Sequence, residues 1–196
     1  MTKLQPINDF GVKPIPSDAH RVFHGKTVSV WQWEQECYDG SRDIFERMSR
    51  KDYAYVIGVE PDGRVLLVED EQPDRGVVLT PAGGGVDEGE EPNQAAAREF
   101  KEETGYEAGS LIHWHSYRPS AKMDMLTHAF VGRDVRQVTQ PKLEAGERIS
   151  PVRFSFDEFL QLGQNIKLRD WMLRIKLLEA QIDATKKQAL KKLLYG

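Results

Sequence analysis

Cysteine is almost missing. Cys37 stands alone among 196 residues, so neither an intrachain disulfide framework nor a multi-cysteine zinc knuckle can organise this chain. No apolar run nears the roughly 18 residues that cross a bilayer, and the N-terminal MTKLQPINDFGVKPIPSDAH has no apolar core of the kind a secretory signal carries. An excess of positive charge is missing too: 27 Lys and Arg face 31 Asp and Glu, a net charge of −4. That balance argues against nucleic acid as a partner. These absences lead us to expect a cytoplasmic protein with no membrane or nucleic-acid partner. The remainder, 39% hydrophobic and 30% charged, is globular composition. The length suits one domain with a small appended region.

Charge is unevenly distributed. Between Gly84 and Glu107 eight acids (Asp87, Glu88, Glu90, Glu91, Glu99, Glu102, Glu103, Glu107) accompany two bases, Arg98 and Lys101. Between Ile166 and Gly196 the sign reverses, with eight bases against three acids. An acidic run is ordinarily a solvated helix face. Its internal spacing decides otherwise here.

The first twenty or so residues, broken by Pro6, Pro14 and Pro16, predict an extended arm. Residues 26–34 alternate as a strand, with Trp31 and Trp33 on one face, and residues 42–48 return as its hairpin partner after Tyr38-Asp39-Gly40-Ser41. YAYVIGV (53–59) and RVLLVE (64–69) flank the turn Glu60-Pro61-Asp62-Gly63 and read as a central hairpin. Residues 77–80 predict a short strand, and Ala82-Gly83-Gly84-Gly85 a loop, because glycine packs a strand poorly. Pro92 opens a helix over 93–103 that Gly105 closes. Strands are expected at 111–116, 125–131 and 148–154, and Ser155 with Glu158 has capping-box spacing before a short helix to Leu162. Trp171, Ile175, Leu178 and Ile182 line one stripe of a terminal helix, followed by a lysine-rich tail. The pattern is α+β, a mixed sheet with helices packed on it.

Glu99, Glu102 and Glu103 stand at i, i+3 and i+4, which puts three carboxylates on one helix face. Like charges so spaced cost a helix a few tenths of a kcal/mol per pair. A hard divalent cation turns that cost into binding, since Mg²⁺ takes oxygen ligands from a few carboxylates and from substrate phosphates. Arg98, four residues before Glu102, can steady a carboxylate, and Glu90 can anchor Arg98. The glycines before the helix let backbone carbonyls face a metal without a Cβ in the way.

Gly84, Glu90, Arg98, Glu99, Phe100, Glu102, Glu103, Gly105 and Tyr106 reproduce G-x5-E-x7-R-E-U-x-E-E-x-G-U, and the chain thereby resembles the Nudix hydrolase family. The strand pair before this box, Pro81-Ala82-Gly83, Pro119, the acidic loop 143–149 and the N-terminal strands are similar to its ADP-ribose pyrophosphatase branch. The resemblance implies a Nudix-type α/β/α sandwich with mixed sheet over 51–196. Residues 1–50 would be an arm and hairpin used for dimerisation. It implies metal-dependent hydrolysis of the pyrophosphate bond of ADP-ribose or a related nucleoside diphosphate sugar. Mg²⁺ would be the cofactor, with Mn²⁺ as substitute, and the enzyme a homodimer. Glu99, Glu102 and Glu103 would ligate metal with a backbone carbonyl, that of Gly83 by counting back from the box or of Ala82 by likeness. The alternative role for Glu102 is contact with the attacking water. Glu147 or Glu144 on the late acidic loop would be the general base. Trp31, Trp33, Phe45 and Arg47 would meet the nucleotide, although packing is the plainer role of these aromatics.

One departure is notable: where the branch often carries phosphate-gripping arginines, this chain has Glu69-Asp70-Glu71-Gln72, and Arg75, the arginine expected to meet substrate, comes only later. The alternatives are a pyrophosphatase for another dinucleotide, such as GDP-mannose or NADH, and a non-catalytic binding module of the same fold. The intact trio of glutamates argues against the module. His113 and His115 alternate along a strand and read as sheet residues, with no third ligand at metal-site spacing.

Overall fold

A computed structural model describes residues 4–8 and 10–196. In chain order the elements are β1 (His20–His24), β2 (Ser29–Glu36), β3 (Arg42–Ser49), β4 (Tyr53–Val59), β5 (Val65–Gln72), β6 (Arg75–Thr80) and β7 (Ala82–Gly85). Then come α1 (Pro92–Thr104), β8 (Tyr106–Glu107), β9 (Ser110–Tyr117), β10 (Met123–Asp124), β11 (Thr127–Arg133), β12 (Arg136–Gln137) and β13 (Arg148–Phe154). α2 (Phe156–Gln161), a 3₁₀ turn (Leu162–Gln164), α3 (Trp171–Ile182) and α4 (Ala184–Tyr195) finish the chain. Contacts divide it into two compact units, residues 1–53 with 115–128 and residues 54–114 with 129–196. The division adds a mid-chain segment to the N-terminal region that the sequence marks off near residue 50.

In the first unit β1, β2 and β3 form an antiparallel ladder, and β10 adds to β3 in parallel. The register sets Trp31 opposite Arg47 and Trp33 opposite Phe45, so both tryptophans share a face. The sequence does not announce β1. All five of its residues are exposed, so it carries no burial alternation to read.

In the second unit the sheet runs β13-β5-β4-β11-β9, with β6 paired to β5 and β7 to β4. Residues 54–59 of β4 and Val65–Val68 of β5 are buried without alternation. Strands of that kind are covered on both faces, as the expected layered α/β/α arrangement requires. The turn between them closes through Gly63 N–H to Glu60 O at 2.9 Å, with Gly63 at φ 85°. α1 packs on one face through Phe100, whose ring fills the space left beside Leu66 by the missing side chain of Gly58. Pro92 opens that helix, and Gly105, at φ 76°, closes it.

Two expectations are corrected. The glycine run is a strand, β7, rather than a loop. A Cβ on Gly83 would overlap the carbonyl oxygen of Ala54 and the Cα of Tyr55, so glycine here admits a backbone approach that any side chain would block. The terminal stripe of Trp171, Ile175, Leu178 and Ile182 is the exposed face of α3, while Met172, Leu173, Leu177 and Ala180 are buried. α3 is apolar on both sides, which leaves periodicity unable to choose between them. The lysine-rich tail is a helix, α4, started by Asp183 accepting from Thr185 N–H at 2.8 Å and seated through Leu190 and Leu194.

Gly83→Ala should therefore lower stability by about 1–3 kcal/mol, the cost of overpacking. Gly146→Ala, with open space around it, should change stability far less. Urea unfolding followed by circular dichroism checks both.

Candidate active site

The site is built on the last two turns of α1. Arg98 reaches back to Glu90, with Nε to Oε1 at 3.0 Å and Nη2 to Oε2 at 2.9 Å. Its Nη1 donates to Glu99 Oε1 at 2.7 Å and to Glu102 Oε2 at 3.3 Å, and Nη2 also reaches Gly85 O at 3.1 Å. One guanidinium thus ties the loop before α1 to two of the three helix carboxylates. The Glu90 hydrogen bonds raise the Arg98 pKa further above its ordinary value, and Arg98 in turn lowers that of Glu90. Burial pushes Glu99 up despite Arg98, and the charges of Glu102 and Glu147 add to the rise.

Glu103 faces elsewhere. Its Oε2 accepts the Gly83 N–H at 2.8 Å, so β7 holds this carboxylate from below. A Cβ on Gly84 would strike the Glu99 carboxylate. The glycines therefore bring backbone up against two acids, and the contact that Gly83 makes with Glu103 is through its N–H. Desolvation pushes the Glu103 carboxyl up to about 9, and the charges of Glu99, Glu147 and Asp70 add to this. Among the described residues, no three His, Cys, Asp or Glu converge closely enough to ligate one ion. Arg98 occupies one oxygen of Glu99 and one of Glu102. The other oxygen of each, and the carboxyl of Glu103, which burial keeps from ionising readily, are oxygen donors of the kind a hard cation takes.

The late acidic loop separates its two candidates. Glu147 is half-buried, its charge acts on Glu99 and Glu103, and its Oε2 accepts the Glu144 N–H at 3.0 Å. Glu144 is exposed. Beside Glu147 lies a cleft of about 320 Å³ lined by Glu71, Gln72, Pro73, Gly146 and Arg148, among others. Arg75, expected to meet substrate, is held by Asp70: Nη2 bonds Asp70 Oδ2, and Nη1 donates to Asp70 O at 3.0 Å.

Asp70 itself went unselected in the sequence. It is buried, with Oδ1 lacking a hydrogen-bond partner among the described residues. Its only signal there was an acid at a strand position where the similar branch carries cations.

The nucleotide candidates belong to the first unit. Trp33 is buried, its ring centroid 6.4 Å from that of Phe45, with Arg47 over its face. Trp31 lies under Arg21, and its Nε1 donates to Ser49 Oγ at 2.8 Å. Phe45 is 40% exposed and carries Lys122 over its ring. Arg47 also donates to Lys13 O at 2.6 Å. His113 packs edge-on against Phe130, and His115 lies near Tyr117.

Comparison with known proteins places this geometry. The model of the NUDIX domain matches residues 49–175, well over half of the chain. The chain belongs to the NUDIX domain family. As a Nudix hydrolase it cleaves a pyrophosphate bond, and hydrolases of this family use divalent metal ions. It is similar to an ADP-ribose pyrophosphatase of Bacillus subtilis (strain 168), 25% identical over 154 residues that cover 76% of this chain and 83% of that protein. A methanol dehydrogenase activator of Bacillus methanolicus is similar to the same extent. The crystal structure of an ADP compounds hydrolase shares the fold, with a TM-score of 0.71 and 20% identity over 96% of this chain and 98% of that one. No helix among the described residues is long and apolar enough to cross a membrane.

The raised Glu103 pKa sets a pH dependence. In the unfolded chain Glu103 ionises near 4.5; in the metal-free folded protein it does so near 9. Between these values the folded state binds more protons, so this group lowers stability as pH rises, by up to about 1.4 kcal/mol per pH unit. Glu103→Gln removes the dependence. In chelator, the variant's stability relative to wild type should improve from pH 5 to pH 8, as read by urea unfolding.

Proposed function

We propose that this Nudix hydrolase acts on ADP-ribose or a related nucleoside diphosphate sugar with Mg²⁺, or Mn²⁺ in its place, giving a nucleoside monophosphate and a sugar phosphate. The observation that carries this reading is three like-charged side chains gathered on one helix face, where they repel one another: Arg98 donates to Glu99 and Glu102, and the Gly83 N–H donates to Glu103. A diphosphate brings a divalent ion with it, and the ion relieves that repulsion. The similarity to an ADP-ribose pyrophosphatase supports the substrate class. A cytoplasmic homodimer accords with the resemblance to the ADP-ribose pyrophosphatase branch.

Glu99, Glu102 and Glu103 hold the metal, joined by a backbone carbonyl of β7, that of Ala82 or Gly83. The bound ion neutralises phosphate charge and makes water a better nucleophile. Arg98 fixes the rotamers of Glu99 and Glu102 while Glu90 anchors it. Glu147 takes the proton from water as its oxygen attacks phosphorus and the P–O bond to the leaving phosphate breaks. Its half-buried place, with its field on Glu99 and Glu103, favours it over Glu144. Within the first unit, Trp31 and Phe45 offer ring surface for a base, with Trp33 packed near Phe45 and Arg47 over the Trp33 ring; within the second, Arg75 is the candidate contact for phosphate. The polar side chains lining the cleft beside Glu147 are two carboxylates, a carboxamide and the Arg148 guanidinium, acceptors and donors for sugar hydroxyls.

With Mg²⁺, ADP-ribose should yield AMP and ribose 5-phosphate by chromatography, and chelation should stop it; turnover that persists in chelator would refute the metal's part. Glu103→Gln should cut kcat by at least about two orders of magnitude while circular dichroism stays native. Glu147→Gln should lose roughly 10²–10⁴ in kcat with little change in KM, whereas Glu144→Gln should keep kcat near wild type. The opposite ranking would make Glu144 the base.

A further inference from the structure

Asp70 is a buried acid that the proposed reaction does not use. It is 6% exposed. One oxygen, Oδ2, is paired with Arg75, and Oδ1 is enclosed with no hydrogen-bond partner among the described residues. A carboxylate oxygen stranded in this way is costly, because the hydration it loses is not replaced. Anchoring Arg75 does not explain it, because Oδ2 and the main-chain carbonyl already do that work.

The direction of the side chain follows from the strand. Leu66 approaches Phe100 of α1 at the gap left by Gly58, so Leu66 faces the helix layer. Successive residues of β5 alternate faces, which sends Val68 and Asp70 to the same side as Leu66. The register of β5 shifts only between Asp70 and Gln72, beyond the stretch this argument uses. Asp70 therefore points toward the layer that carries Glu99 and Glu103, and its charge is among those acting on Glu103.

We infer that Asp70 is a positioning residue of the metal site: its unpaired Oδ1 accepts a hydrogen bond from water carried by the divalent ion that Glu99, Glu102 and Glu103 bind. Mg²⁺ and Mn²⁺ at oxygen-rich sites keep several waters, and outer partners orient them. Because Arg75 shares the Asp70 carboxylate, that group is better suited to accept a hydrogen bond from bound water than to displace it. This inference rests on the metal reading given under Proposed function.

The test is Mn²⁺ binding to the full chain without substrate, with free ion counted by electron paramagnetic resonance and folding checked by circular dichroism. Asp70→Asn should weaken binding roughly ten- to a hundredfold. Arg75→Ala, which strips the positive partner from Asp70 but leaves its acceptor oxygen, should bind Mn²⁺ as tightly as wild type or more tightly. If both variants weaken binding equally, Asp70 is only a brace for Arg75 and the inference fails. It fails also if Asp70→Asn matches wild type. Should Asp70→Asn not fold, Arg75→Ala decides: unchanged or tighter binding supports the role, and weaker binding overturns it. A wild-type protein that binds no Mn²⁺ would instead remove the metal reading itself.

Discussion

Negative charges forced together on one helix face are the constraint around which this protein is arranged. Glu99, Glu102 and Glu103 would repel one another into solvent if nothing held them. Arg98 restrains two of them from above, itself gripped by Glu90. The Gly83 N–H restrains the third from below. Each restraint keeps a carboxylate oriented without cancelling the whole charge, so the cluster stays short of positive partners. A helix favoured for stability alone would alternate signs along this face.

The sheet supplies the other half of the restraint. β7 comes close enough to β4 for its glycines to meet backbone, and close enough to α1 for Gly84 to touch a carboxylate. Both approaches need the absence of a side chain. β5, buried on both faces along Val65–Val68, is the rigid wall from which Asp70 projects. The site accordingly rests on packed strands and a helix, while Glu147, the proposed base, stands on the loop just before β13.

Much of this was legible in the residues. The three glutamates, the arginine before them and the closing glycine sit at fixed spacings on one helix, and spacing is what a sequence records most directly. The β4–β5 hairpin was legible through its turn, and the capping box of α2 through Ser155 and Glu158, where Ser155 Oγ accepts the Glu158 N–H at 3.3 Å. What stayed hidden depended on partners distant in the chain. The glycines of β7 read as loop because their strand character comes from β4, some twenty-five residues earlier. The exposed face of α3 looked like core because composition cannot say which of two apolar faces meets a neighbour. Asp70 gave no sign of burial, since an acid in a polar run ordinarily points to water, and the division of labour between Glu144 and Glu147 lies in how the loop folds.

α1 ends at Gly105, which means the acidic cluster occupies the C-terminal end of its helix. There the carbonyls of the final turn carry the negative pole of the helix dipole, equivalent to about half an elementary charge. Carboxylates are least comfortable at that pole, and cations most welcome. The backbone thus adds its own field to that of the side chains. An identical run of residues moved to the opening turn of a helix would lose this contribution, and its attraction for a positive ion would fall accordingly.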